Sequence, residues 1–200
     1  MKRLVLCLTA MMLAGPLAHA DAVPGKPAPD FTAKGADGKT YQLSGLKGKI
    51  VVLEAYNLDC PYCANHFRTG AMQELQGWAT GQGAVWLVVN SVNPNHPSHR
   101  DAAAAKKEFA AQKMKATAWI DDSSGALGKA YALKTTPHLV VIDKQGTVAY
   151  NGAIDNREAA EGDPRTARNY VREAIQSLLA GEPVKVKSTK PYGCSVKYAN

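Results

Sequence analysis

No stretch of this 200-residue chain stays apolar for the roughly 20 residues that a membrane-spanning helix needs. No internal repeat or low-complexity tract is present, and no shift in composition marks a second domain. Basic residues are scattered in pairs, Lys47/Lys49, Lys106/Lys107, Lys113/Lys115 and Lys185/Lys187, without a dense block interleaved with aromatics. Nucleic acid is therefore not an expected partner. Cysteine is scarce as well: the chain holds 4, too few to staple a scaffold, so the fold has to rest on a packed core. With 46% hydrophobic and 20% charged residues, such a core is available and disorder is not expected.

The longest apolar run, Leu4 to Ala14, follows Lys2 and Arg3 and precedes Ala18-His19-Ala20. A basic start, a short apolar centre and an Ala-x-Ala site make residues 1–20 a secretory signal peptide, cleaved before Asp21. An uncleaved anchor is the alternative reading, and no stable membrane anchor is expected. Cys7 raises the thought of a lipoprotein but lies too early, before the apolar centre is complete. Cleavage leaves 22 basic residues against 17 acidic ones, a net charge of +5, and three cysteines: Cys60, Cys63 and Cys194. The implied location is periplasmic or secreted, where thiols tend to pair. An odd count then leaves one thiol over, or means that pairing changes during function.

What the chain does have is a β-branched run, Val51 to Tyr56, that ends in Cys60-Pro61-Tyr62-Cys63. The run reads as a buried strand and the motif as the entry to a helix, with Pro61 in its first turn. Upstream, Phe31–Ala33 and Thr40–Leu43 flank a Gly-rich turn and predict a β-hairpin. Downstream, residues 64–78 predict one helix, 84–90 a second buried strand, 100–115 a helix, 117–120 a short strand and 125–133 a short helix. Leu139–Ile142 and Thr147–Tyr150 predict a second hairpin, and residues 164–179 a terminal helix ended by Gly181. Val184–Val186 is strand-like. A strand–helix–strand order favours a parallel pair. The expected domains are the signal peptide (1–20), one α/β domain (21–181) and a C-terminal tail with the third cysteine (182–200).

A Cys at a helix N-terminus lies near unpaired N–H groups and the positive dipole end, which favour its thiolate. Cys63 follows one turn later, close enough to resolve a mixed disulfide. Metal binding is the rival, since His66 completes Cys-x-x-Cys-x-x-His and Cys194 could supply a fourth ligand. The oxidising compartment favours redox chemistry, so neither a metal nor a cofactor is expected. Asp59 precedes Cys60 and would oppose its thiolate, unless it is only a solvated loop acid. Glu54 interrupts an apolar strand, where an unpartnered acid is costly. It is either functional or an edge residue paired with a lysine. His96 and His99 sit in a Pro-rich loop and read as solvated; His138 reads as structural.

Four segments carry a family resemblance. Gly25-Lys26-Pro27-Ala28-Pro29-Asp30-Phe31 resembles the redoxin opening, and Leu46-Lys47-Gly48-Lys49-Ile50-Val51-Val52-Leu53 its approach to the active site. Cys60-Pro61-Tyr62-Cys63 matches the Cys-x-x-Cys position, and Thr135-Thr136-Pro137 with Leu139–Asp143 the cis-proline loop and following strand. In this order they resemble the thioredoxin superfamily, and within it the exported thiol–disulfide oxidoreductases and the redoxin (AhpC/TSA-like) group. The resemblance implies a thioredoxin-like three-layer α/β sandwich, here with an N-terminal hairpin, a central insertion and a C-terminal tail. It implies Cys60 as nucleophile, Cys63 as resolving thiol and Glu54 as the acid moving a proton on or off Cys63. It also implies substrate contact at Thr136, Pro137 and Tyr62. The expected partners are protein thiols or disulfides and an unidentified electron-donor or acceptor protein.

Two alternatives to the oxidoreductase are a thiol-dependent peroxidase and a copper-handling protein. Redoxin peroxidases carry Pro-x-x-x-Thr/Ser-x-x-Cys. Here the matching positions hold Leu53 and Asn57 before Cys60, and Tyr56 and Cys60 before Cys63, so neither cysteine fits. Cys194 is an accessory thiol of open role: a second resolving thiol, a metal ligand, a regulatory partner, or inert. Its tail, at roughly 3.3 Å per extended residue, is long enough to reach back across a small domain.

Overall fold

A computed structural model describes residues 22–199. The expected signal peptide and Cys7 lie outside the described residues. The fold is a three-layer α/β sandwich on a five-stranded sheet of order β5-β4-β3-β7-β8. At its centre is β3 (Val51–Ala55), buried at every position. It pairs in parallel with β4 (Val85–Asn90) and antiparallel with β7 (His138–Ile142). The edges are β5 (Ala118–Asp121), parallel to β4, and β8 (Val148–Gly152), antiparallel to β7. The N-terminal hairpin, β1 (Thr32–Lys34) and β2 (Thr40–Gln42), forms a separate two-stranded ribbon.

Strand alternation divides β3 between two cores. Val52 and the following Tyr56 face one helical layer with Phe67, Met72, Leu75, Ala174 and Ile175. Val51, Leu53 and Ala55 face the other, with Leu43, Leu127, Tyr131 and Leu133. Both faces are covered, so a strand with no exposed position is what the sequence has to supply, and each large side chain so buried contributes about 1.5–3 kcal/mol. Glu54 shares the face of Val52, toward the helices.

Three expectations need correction. The single helix expected over 64–78 is two: α1 (Pro61–Arg68) and α2 (Ala71–Gly81). The break falls at Gly70, which takes a left-handed φ of 81°, after Thr69 turns its hydroxyl back to the Asn65 carbonyl at 2.8 Å. Gly77 lies inside α2, which runs on to Gly81. The terminal helix does not begin at Pro164: a short 3-10 turn, Pro164–Thr166, precedes α5 (Tyr170–Leu179). Asn169 sets that start, its side chain accepting from the Arg172 amide at 2.8 Å. Val184–Val186 forms no strand; the tail instead bridges β8 through Ser188 and Asn151. The central insertion carries α3 (Ala102–Ala111), capped by Asp101, and α4 (Ala126–Ala130) follows β5.

A pairing of the tail was not foreseen. Beyond Gly181 the chain crosses the molecule, and β9 (Cys194–Ser195) adds antiparallel to β6 (Thr135–Thr136), placing Thr136 opposite Cys194. No helix among the described residues is long and apolar enough to cross a membrane.

The α1–α2 break is testable. A Cβ at position 70 meets no neighbour, so Gly70→Ala is strained only through its backbone. We expect a loss of about 1–2 kcal/mol in urea unfolding, with Cys60 reactivity retained.

Candidate active site

The strand-to-helix junction after β3 delivers the two thiols. Cys60 is the N-cap of α1 in extended conformation, and Pro61 occupies the first turn, where its missing N–H leaves nothing unsatisfied. Cys60 and Cys63 are free and both are buried, Cys60 1% and Cys63 0% exposed.

The environment of Cys60 favours its thiolate. Cys63 is the largest effect favouring the thiolate; burial opposes, and neighbouring Cys194, Thr136 and the Cys63 backbone add to the lowering. Together they bring Cys60 down to about 4. Against them stands the Thr136 carbonyl oxygen, 2.9 Å from Cys60 Sγ, which accepts from the thiol form. Several donors outweigh that single acceptor. Burial, then its bond to Cys60, pushes Cys63 well above the ordinary thiol range. The two thiols are thus differentiated into an ionised and a protonated partner, as nucleophile and resolving groups require.

Glu54 is 0% exposed and pairs with no lysine among the described residues; its partners are Trp86 and Gln76, which does not fit an edge acid. Trp86 Nε1 donates to its Oε2 at 2.7 Å and Gln76 Nε2 donates to the same oxygen at 2.8 Å. Oε1 has no partner among the described residues. Burial raises the carboxyl to about 7, and its charge acts on Cys63. An acid with one free oxygen, titrating near neutrality beside a buried thiol, is suited to proton transfer.

Asp59 is not a bare loop acid. Arg100, from the insertion, lies 3.3 Å from its carboxylate and 2.7 Å from Glu108, which accepts from Tyr56 Oη at 2.7 Å. The Arg100 charge offsets that of Asp59. Neither Arg100 nor this network was foreseen; no local motif distinguishes Arg100 from other loop cations.

Thr136 lies against Cys60, the peptide that joins it to Pro137 is cis, and Pro137 lies beside Gly193 of the tail. The Thr136 edge is paired with the tail, its hydroxyl donating to the Cys194 carbonyl at 3.4 Å. Tyr62 packs on Tyr192 of the same tail, ring centroids 5.7 Å apart. All three residues expected to meet substrate are therefore in contact with Cys60 or with the chain's own C-terminal segment. His66 turns its Nε2 to Tyr192 Oη at 3.3 Å and to Asp155 at 3.7 Å. Its ring is thus engaged with the tail rather than with the cysteines. Among the described residues, no cluster of three or more His, Cys, Asp or Glu is arranged to hold a metal ion. His138 accepts from the Lys134 amide through Nδ1 and meets Asn151 Oδ1 at 2.6 Å through Nε2, a structural role. His99 Nδ1 lies 3.3 Å from the Val92 carbonyl oxygen, and His96 Nδ1 accepts from the Ser98 amide.

A helix-capping thiol pair, a buried acid behind it and a proline loop in front define a thioredoxin-fold oxidoreductase. Residues 24–151 match the AhpC/TSA family, and the chain belongs to it. Among curated proteins nothing matches the chain by sequence. Solved structures with the same fold include an uncharacterized conserved protein from Geobacillus kaustophilus, at 24% identity and TM-score 0.77, covering 89% of this chain and 93% of that one. The exposed lipoprotein thioredoxin of Streptococcus pneumoniae is 27% identical with a TM-score of 0.54, covering 75% of this chain and 100% of the other. A secreted disulfide oxidoreductase of Mycobacterium tuberculosis is 18% identical with a TM-score of 0.53, covering 74% and 96%.

Burial of Glu54 has a pH signature. Its carboxyl titrates near 7 in the fold and at an ordinary 4.5 when unfolded, so the native state binds the extra proton between those values. The stability it contributes is complete below pH 4.5 and is lost as pH rises through 7. Across that window the wild type should lose up to about 3 kcal/mol more than Glu54→Gln in urea unfolding. His66 and His138, both lowered mainly by burial, give the opposite slope, and they cancel in the difference because both proteins carry them.

Proposed function

We propose that the protein is a thiol–disulfide oxidoreductase acting on exported protein thiols or disulfides. The observation that carries this reading is the placement of Cys60 as the N-cap of α1 against the Thr136 carbonyl, with Cys63 fully buried one turn on, an arrangement that lowers the first thiol and raises the second. In the reductive direction Cys60 attacks a substrate disulfide, forming a mixed disulfide and releasing one substrate thiolate. Cys63 then gives up its proton and attacks Cys60 Sγ, releasing the second substrate thiolate and closing the Cys60–Cys63 disulfide. Glu54 takes the Cys63 proton, which its free Oε1 and near-neutral titration support. The oxidative direction runs the same steps backward. Export is supported by the signal-peptide pattern of residues 1–20 and by two relatives whose names describe an exposed lipoprotein and a secreted protein.

Membership of the AhpC/TSA family makes a thiol peroxidase the second reading. Its chemistry needs a hydroxyl three residues before the nucleophile, and that position is Asn57, whose Oδ1 accepts from the Asp59 amide at 3.0 Å. The proline position is Leu53, inside the central strand, where a proline would remove a ladder bond. For copper handling, His66 is turned to the tail.

Insulin reduction with dithiothreitol as donor, compared with hydrogen peroxide consumption, separates these readings. The wild type should reduce insulin and leave peroxide at background. Cys60→Ser should abolish turnover, and Glu54→Gln should slow it by about tenfold or more while leaving the circular dichroism spectrum unchanged. Peroxide turnover exceeding insulin reduction, or activity surviving Cys60→Ser, would overturn the assignment.

A further inference from the structure

The tail does more than pack. Residues 189–198 are fastened across the thiol site by contacts distributed along their length. Thr189 Oγ1 accepts from the Ala153 amide at 2.9 Å, and Tyr192 Oη donates to Asp155 at 2.7 Å. The Val196 amide donates to the Lys134 carbonyl at 3.1 Å, and Tyr198 Oη to the Leu133 carbonyl at 2.8 Å. Between these clamps, β9 lies on β6, the backbone edge directly beside Cys60.

Gly193 makes that approach feasible. Its φ of 114° suits glycine, and a Cβ there would collide with the Thr136 carbonyl oxygen and crowd Pro137. The next residue is Cys194, which pairs with Thr136, the residue whose carbonyl oxygen lies 2.9 Å from Cys60 Sγ, and its thiol is near enough to help lower Cys60. An extended segment paired with the proline-loop strand and presenting a sulfur to the nucleophile has the geometry of a peptide substrate bound by strand addition. Here the segment belongs to the chain itself.

We propose that Cys194 is a second exchange partner of Cys60, delivered by a tail strand that occupies the edge a substrate peptide would use. The proposal rests on the reading of Cys60 as the nucleophile. Starting from the Cys60–Cys63 disulfide, the Cys194 thiolate attacks Cys60 Sγ. The Cys60–Cys194 bond forms, the bond to Cys63 breaks, and Cys63 leaves as thiolate and takes up the proton that Cys194 released. No electrons enter or leave the protein. Starting from a mixed disulfide on Cys60, the same attack expels the substrate as a thiol and leaves the protein oxidised by two electrons. Burial and the bond to ionised Cys60 hold the Cys194 thiol up at about 11 in the reduced protein. Once Cys60 is in a disulfide that charge is gone, and Lys197 remains to favour the Cys194 thiolate. Oxidation of Cys60 thus removes part of what opposes the Cys194 thiolate, while burial, the larger part, remains.

The test is glutathione disulfide added to full-length mature Cys63→Ser, followed by acid quench, alkylation and peptide mapping. Cys60 first takes one glutathione and releases the other. The expected result is release of the second glutathione and an intramolecular Cys60–Cys194 link. Release should be about tenfold or more faster than in Cys63→Ser/Cys194→Ser, where only external thiols can act. Cys63→Ser/Gly193→Ala, which displaces β9, should accumulate the Cys60 adduct instead. A persistent glutathione adduct on Cys60 of Cys63→Ser would overturn the proposal while leaving the nucleophile assignment intact. Failure of wild-type Cys60 to react would overturn both. Should Cys63→Ser not fold, the same mapping of partly oxidised wild type decides: a Cys60–Cys194 peptide supports the exchange, and its absence at every time point overturns it.

Discussion

The contact between Cys60 Sγ and the Thr136 carbonyl, 2.9 Å long, joins three parts of the chain that are far apart in sequence. Cys60 opens α1 at the end of the central strand. Thr136 belongs to the loop that leads into β7, the other neighbour of that strand. Cys194 pairs with Thr136 from the tail. Because β3 is the common partner of β4 and β7, the registry of the sheet fixes where the nucleophile meets the loop. A one-residue slip of β3 would turn Glu54 to the opposite core and carry the junction to Cys60 out of register with Thr136.

The site then depends on unequal solvation of similar groups. Cys60 and Cys63 are both buried thiols, yet several neighbours favour the first as thiolate, while desolvation and neighbouring negative charge on the second outweigh a single backbone donor from Asn57. Glu54 belongs to the same arrangement. Two donors on one oxygen keep it from being an uncompensated buried charge, while the bare second oxygen keeps its affinity for a proton. Filling that oxygen with a third donor would favour the carboxylate and remove its value as a proton store. On the solvent side, Arg100 offsets Asp59 and, through Glu108, anchors Tyr56.

The sheet was legible because β-branched runs of five or six residues between Gly and Pro punctuation have few other uses, and Val51–Ala55 and Val85–Asn90 are both of that kind. Glu54 stood out for the converse reason, as a charge in a run with no room for one. Helix ends were less legible. Thr69-Gly70 breaks a continuous apolar stripe that periodicity alone carries through, and Asn169 resets a helix that Pro164 had suggested. The tail was least legible. A two-residue strand has no periodicity, and the meaning of Gly193 depends on an oxygen 57 residues earlier in the chain, that of Thr136. Cys194 and the reach of its tail were visible, but its docking site was not.

Energetics separate the kinds of molecule that can reach Cys60. Each hydrogen bond holding the tail contributes about 0.5–1.5 kcal/mol, and the tail forms several, with Tyr192 packed among them. Lifting the whole segment therefore costs several kcal/mol, which no single exposed thiol recovers on its own. An extended polypeptide can recover much of it, because it replaces the β9 ladder bonds and the packing on Tyr62 with its own. If the protein acts on protein disulfides as proposed, a strap of this kind favours unfolded or extended substrates over compact ones. Small disulfides face a different requirement. They need only an opening at β9, where Gly193 has no side chain to anchor it and the ladder is two residues long. The part of the tail that lies over the nucleophile is thus held by a two-residue ladder rather than by a packed side chain at Gly193.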